Sequence, residues 1–167
     1  MFNPVQFYQF SLNKILNILT TLVGSIDSNT TKYSGGVLAP NGNIYFAPTN
    51  ASQVLQLDPS NNTTSLIGSS LSGTFQYIGG VLAPNGKIYF IPFNASQILQ
   101  LDPSNNTTSL IGSVNSATNK YAGGVLAPNG KIYFAPFNAS QILELDPSNN
   151  TTSLVGSVLS GLSKYSG

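Results

Sequence analysis

Gly79-Gly80-Val81-Leu82-Ala83-Pro84-Asn85-Gly86 is the stretch on which the fold turns. The same eight residues begin again at Gly35 and at Gly123, 44 residues away on either side. Each copy is followed by the same run, Asp-Pro-Ser-Asn-Asn-Thr-Thr-Ser-Leu, from Asp58, Asp102 and Asp146. A fixed period of this size means one supersecondary unit stacked on copies of itself, because such a unit cannot bury its apolar surface alone.

Outward from that stretch, the second copy reads as four strands. Gly79–Ala83 is small and apolar, and Pro84-Asn85-Gly86 is a turn in which Asn-Gly favours the positive backbone angles of a tight hairpin. Lys87–Ile91 is β-branched and aromatic, the composition of a strand covered on both faces. Pro92–Ser96 interrupts it, and Gln97–Leu101 is a third strand. Asp102–Asn106 is a turn whose Asp can accept bonds from backbone amides further on. Thr107–Gly112 is a fourth, more polar strand, and the looser Ser113–Lys120 leads to Tyr121 and the next copy. Four short antiparallel strands in such a unit make one β-propeller blade. The Gly, Pro and β-branched content excludes helical repeats, and a solenoid of hairpins is the competing all-β reading. The Gly-rich strand suits a crowded centre, the aromatic strands suit blade-to-blade packing, and the Thr- and Ser-rich strand suits an outer rim.

Asn85-Gly86-Lys87-Ile88-Tyr89, followed by Ile98-Leu99-Gln100-Leu101-Asp102-Pro103 and Asn106-Thr107, resembles the repeat of YVTN-type propellers. It is also similar to the propellers of the gluconolactonase (SMP-30) and NHL groups. The resemblance runs from Gly35 to the end of the chain and implies blade geometry. It does not imply one function, since those groups include enzymes, binding scaffolds and surface proteins. The Gly-His and Trp-Asp signatures of WD40 blades are absent, for the chain has neither His nor Trp.

The expected organisation is an all-β propeller segment of three four-stranded antiparallel blades, 35–78, 79–122 and 123–167, after a degenerate partial blade at 1–34. In that stub Leu12, Ile15, Leu16, Leu19, Leu22 and Val23 fall at helical spacing behind Ser11, so a helix is expected at about 11–22, packed over an open blade face. Propellers close with four to eight blades. If each open face left about 400 Å² of apolar surface, the lost burial would be about 10 kcal/mol, as much as a domain's whole stability. The repeat phase at the two ends favours a fragment of a longer propeller or a truncated duplication. Self-association of two copies through the open faces is the second expectation.

Composition narrows the chemistry. With no Cys and no His, disulfides, thiol chemistry and imidazole catalysis are excluded. Six Lys and no Arg, scattered along the chain, argue against nucleic acid. No apolar run reaches the ~18 residues of a membrane span. Ile15–Gly24 matches a signal-peptide core only weakly, with Lys14 its sole preceding positive charge. The ten Asn-x-Ser/Thr sequons follow from composition.

Asp27, Asp58, Asp102, Glu144 and Asp146 are the five carboxylates. Asp58, Asp102 and Asp146 occupy the same turn in successive blades, too far apart for an acid–base pair, and are expected to close that turn. The alternation of Asp58, Ser60, Asn62 and Thr64 lacks the carboxylates of a calcium loop. Gluconolactonase-like enzymes hold a metal with acidic residues on inner strands, and the matching strands here read Gly-Gly-Val-Leu-Ala. No cofactor, metal or catalytic residue is therefore expected. What remains is binding. The copies differ most in the loops 26–32, 70–76 and 114–120, each ending in a Tyr. Asn29, Tyr33, Thr74, Gln76, Tyr77, Asn119 and Tyr121 are the candidate contacts, suited to a neutral small ligand, glycan or peptide. The competing role for the tyrosines is to wedge neighbouring blades. The expected function is a non-enzymatic binding or interaction scaffold. The alternative is part of a lactonase-like propeller hydrolase whose catalytic residues lie in other blades.

Overall fold

The computed structural model describes residues 31–165, so the expected helix at 11–22, most of the stub and Asn29 lie outside the described residues. Within them are twelve strands in three four-stranded antiparallel sheets, each a simple meander. The first sheet holds β1 (Tyr33–Leu38), β2 (Ile44–Pro48), β3 (Val54–Asp58) and β4 (Thr63–Ile67). The second holds β5 (Tyr77–Leu82), β6 (Ile88–Pro92), β7 (Ile98–Asp102) and β8 (Thr107–Ile111). The third holds β9 (Tyr121–Leu126), β10 (Ile132–Pro136), β11 (Ile142–Asp146) and β12 (Thr151–Val155). These are three propeller blades. β1, β5 and β9 lie side by side at the centre, and β4, β8 and β12 form the rim.

The middle blade shows why the sequence takes this form. Alternation along β6 and its register with β7 send Ile88, Phe90, Leu99 and Leu101 to one face. These four pack with Tyr45, Ala47 and Val54 of the first blade. Tyr89, Ile91 and Ile98 point the other way and pack with Ile132, Phe134, Leu143 and Leu145 of the third. Every residue of β6 is buried, whereas outer strand β8 is largely exposed.

Polar latches fix the blades in register at the end carrying the hairpin turns. Asn41 Nδ2 donates to Tyr45 Oη (3.0 Å) and to the Pro103 carbonyl (2.9 Å), and Tyr45 Oη donates to Asn106 Oδ1 (2.8 Å). The next interface repeats this: Asn85 Nδ2 donates to Tyr89 Oη and Pro147 O, both at 2.9 Å, and Tyr89 Oη donates to Asn150 Oδ1 (3.2 Å). Gln100 Nε2 reaches both Tyr89 Oη and Asn150 Oδ1 at 3.0 Å.

Two local readings change. In the hairpins only the glycine takes a positive φ (Gly86, 77°); Asn85 instead caps the turn, accepting from Lys87 N, while its amide joins the latch. The central strands also start at Tyr33, Tyr77 and Tyr121, ahead of the Gly-Gly pair. A shift in register between Ser34 and Gly36 lets Gly35 adopt φ 64°, and a Cβ there would lie 2.9 Å from Gly79 Cα. The glycines thus permit close approach of neighbouring central strands. The Asp turns form as expected: Ser60 N, Ser104 N and Ser148 N donate to Asp58, Asp102 and Asp146 at 2.9, 3.0 and 2.9 Å.

Gly42 also has positive φ, but open space surrounds its Cβ position. Gly42→Ala is expected to cost about 1–2 kcal/mol from backbone strain alone. Gly35→Ala adds a backbone collision and should cost more, as urea titration of both variants would measure.

Candidate functional site

The loops joining blades and the loops between second and third strands meet at the end opposite the latches. One repeated side chain ties them together. Asn50 Oδ1 accepts from Phe75 N (2.8 Å), Asn94 Oδ1 from Asn119 N (2.7 Å) and Asn138 Oδ1 from Ser163 N (2.9 Å). The same amides reach backwards, Asn50 Nδ2 to Thr31 O (3.0 Å) and Asn94 Nδ2 to Thr74 O (3.1 Å). The result is a chain of pins around this face. The backbone reinforces it, with Phe93 N donating to Gln76 O and Phe137 N to Lys120 O.

The three residues pinned through their N–H groups, and Thr31, are non-glycines held at positive φ: Thr31 at 51°, Phe75 at 50°, Asn119 at 52° and Ser163 at 51°. Asn tolerates this conformation, but an aromatic residue does so at a cost. Phe75 is also 45% exposed. A bulky apolar side chain is thus held in strained backbone with much of its ring in solvent.

The candidate residues divide. Asn94 brings Thr74 and Asn119 together by bonding both. Thr74 is exposed, Asn119 half-buried, and Gln76 folds back to donate from Nε2 to Thr74 O (3.1 Å). Tyr77 and Tyr121 are buried among the blade-to-blade cores, where they act as wedges, and burial raises both phenols, that of Tyr121 to about 12. Tyr33, at the start of β1, is half-buried and its phenol is raised for the same reason. Sequence reasoning missed Asn50, Asn94, Asn138 and Phe75. The asparagines were visible as a thrice-repeated Asn-Ala-Ser, whose recurrence in an otherwise polar loop was the available signal.

Lys120 is fully buried beneath this face and donates from Nζ to Ala117 O (2.7 Å). Burial lowers its ammonium to about 8. Among the described residues no group of three or more His, Cys, Asp or Glu could hold a metal ion, and no helix is long and apolar enough to cross a membrane. Asp58, Asp102 and Asp146 are half-buried carboxylates lowered chiefly by their own turn serines.

No family model matches the sequence, and no curated protein matches it. Solved structures do. Virginiamycin B lyase from Staphylococcus aureus superposes with a TM-score of 0.65 at 14% identity, over 83% of this chain and 45% of that one. The same enzyme as a catalytically inactive histidine-to-alanine variant with quinupristin gives 0.64 at 13% identity, over 84% and 45%. A Bacteroides uniformis protein described provisionally as a 6-phosphogluconolactonase gives 0.57 at 18%, over 85% and 47%. The chain spans about half the length of these structures. The likeness establishes the β-propeller fold.

The buried groups set a pH profile. Burial holds the Lys120 ammonium near 8 in the fold, against 10.5 in the unfolded chain, so between those values the unfolded chain binds more protons and stability rises with pH. Tyr77 and Tyr121 have the opposite sign: their folded phenols keep protons that the unfolded chain loses from about 10 upward. Stability measured by urea denaturation across pH 7–12 should show a maximum near 10, and Lys120→Met should remove the rising limb.

Proposed function

We propose that this chain is a non-enzymatic binding scaffold that takes a neutral glycan or peptide on its pinned loop face. Exposed Phe75 in strained backbone is the observation that carries the reading. Strain at an aromatic residue that leaves 45% of its surface in solvent is only partly offset by packing, and such strain concentrates at ligand-contact positions. Thr74 precedes Phe75 in the same loop, and Asn94 ties the backbone of Thr74 to that of Asn119, so neutral donors and acceptors share this face with a flat apolar side chain. That combination suits a sugar ring or a peptide backbone, and the low charge of the chain suits a ligand without charge. The pins hold the loops ready, which lowers the entropy cost of binding.

The finer kinship is with YVTN-, gluconolactonase- and NHL-type repeats, on the residues quoted above. An enzymatic reading has one observation in its favour, namely that the lyase and the lactonase-type protein share the fold. Against it, a histidine substitution inactivates that lyase, and this chain contains no His. Catalysis of that kind would need residues from beyond these blades.

Phe75→Asn separates the roles, since Asn already occupies the equivalent left-handed position at residue 119. The variant should gain about 1 kcal/mol in stability by relieving strain. On glycan and peptide arrays the wild-type chain should retain a neutral ligand that Phe75→Asn loses. Arrays blank for both proteins, or binding unchanged in Phe75→Asn, would contradict the proposal.

A further inference from the structure

The two outward faces of the three-blade arc are the two halves of one interface. Within the chain that interface is seen twice, and each time a leading face meets the trailing face of the blade before it. On the leading face of the first blade, Ile44, Phe46 and Leu57 correspond to Ile88, Phe90 and Leu101, which are fully buried in the second blade, yet here they are only half-buried. On the trailing face of the third blade, Val125 is 60% exposed, whereas its equivalent Val81 is 9% exposed. Beside Val125 is an apolar hollow of about 420 Å³ lined by Tyr133, Ala135, Ile142 and Val155. These are the positions that, in the second blade, pack against the third.

The polar latch is divided in the same way. Asn129 Nδ2 donates to Tyr133 Oη at 2.9 Å, as in the other blades, but no carbonyl of a following blade receives its second N–H among the described residues. At the opposite end of the arc are the receiving groups, the Pro59 carbonyl and Asn62. Asn62 is held at φ 58°, against 57° and 60° for the engaged Asn106 and Asn150. One end therefore carries the donor half and the other the acceptor half, with the Asn62 backbone set as in the formed latches.

We infer that a second copy of this chain completes the structure head to tail. Blade three of each copy packs on blade one of the other, and Asn129 and Tyr133 meet Pro59 and Asn62 of the second copy. Six blades result, within the four to eight at which propellers close. The two contacts are identical and heterologous, and such contacts end in a ring when the rotation closes. One difference marks the joint. Glu144 stands where the internal latches have Gln56 and Gln100, and it is paired with Lys131 at 2.7 Å. A carboxylate only accepts, so the Asn62 amide turns over to donate its N–H to Glu144, while the Tyr133 O–H bonds to Glu144 instead of to the Asn.

The test reads mass without any ligand, so its failure is separate from failure of the binding proposal. Light scattering of the full 167-residue chain should give twice 17.6 kDa at micromolar concentration. Leu38→Lys and Val125→Lys each place a charge on one outward face, at positions 61% and 60% exposed in the single chain, so both should fold and remain monomeric. An equimolar mixture of the two should recover a dimer through the face that each retains. Asn62→Ala should raise the dissociation constant about tenfold or more. A wild-type monomer, with residues 1–30 or nothing covering the faces, would overturn the inference. So would a Leu38→Lys variant that still dimerises, since that indicates like faces meeting.

Discussion

A sheet that is apolar on both faces cannot stand alone in water, and everything else in this molecule follows from that. Strand β6 of the middle blade sends alternate side chains to two neighbours, Ile88 and Phe90 one way and Tyr89 and Ile91 the other. Burial is non-directional and would allow the blades to slide. The Asn–Tyr–Asn latch supplies direction, since the Tyr89 O–H is given to Asn150, which must stand opposite. No buried side-chain polar atom among the described residues lacks a partner, so each interface is satisfied in one register.

With the blades fixed at one end, the loops at the other can be held under strain. Asn50, Asn94 and Asn138 tie every inter-blade loop to the preceding blade, and the positive φ of Phe75 persists because bonds on both sides over-determine it. Stability generated between the sheets is thereby spent at the loop face. Variation among loops 70–76, 114–120 and 158–164 alters surface chemistry on a frame of constant geometry.

The repeat made the strands legible because a thrice-copied Lys- or Asn-Ile-Tyr-Phe cannot be chance, and period-2 alternation identified two-sided burial. Its limit was partnership across blades. Asn85 read as a turn former, which it is, but its amide also reaches Pro147, 62 residues away, and nothing local signals such a bond. Tyr77 and Tyr121 look alike as wedge or ligand contact, because an aromatic side chain serves both, and only their placement in the blade cores shows the packing role. Phe75 was passed over because positive φ is invisible in a residue type that rarely adopts it.

The most direct test of the central claim is a double-mutant cycle across one internal latch, using Tyr89→Phe and Asn150→Gly, the glycine preserving the left-handed backbone at residue 150. Urea unfolding of the wild type, both single variants and the double variant gives the coupling energy. The account predicts about 1 kcal/mol or more between two residues 61 positions apart. Simple additivity would mean that the blades are held in register by apolar packing alone and that the latch does not set the arc.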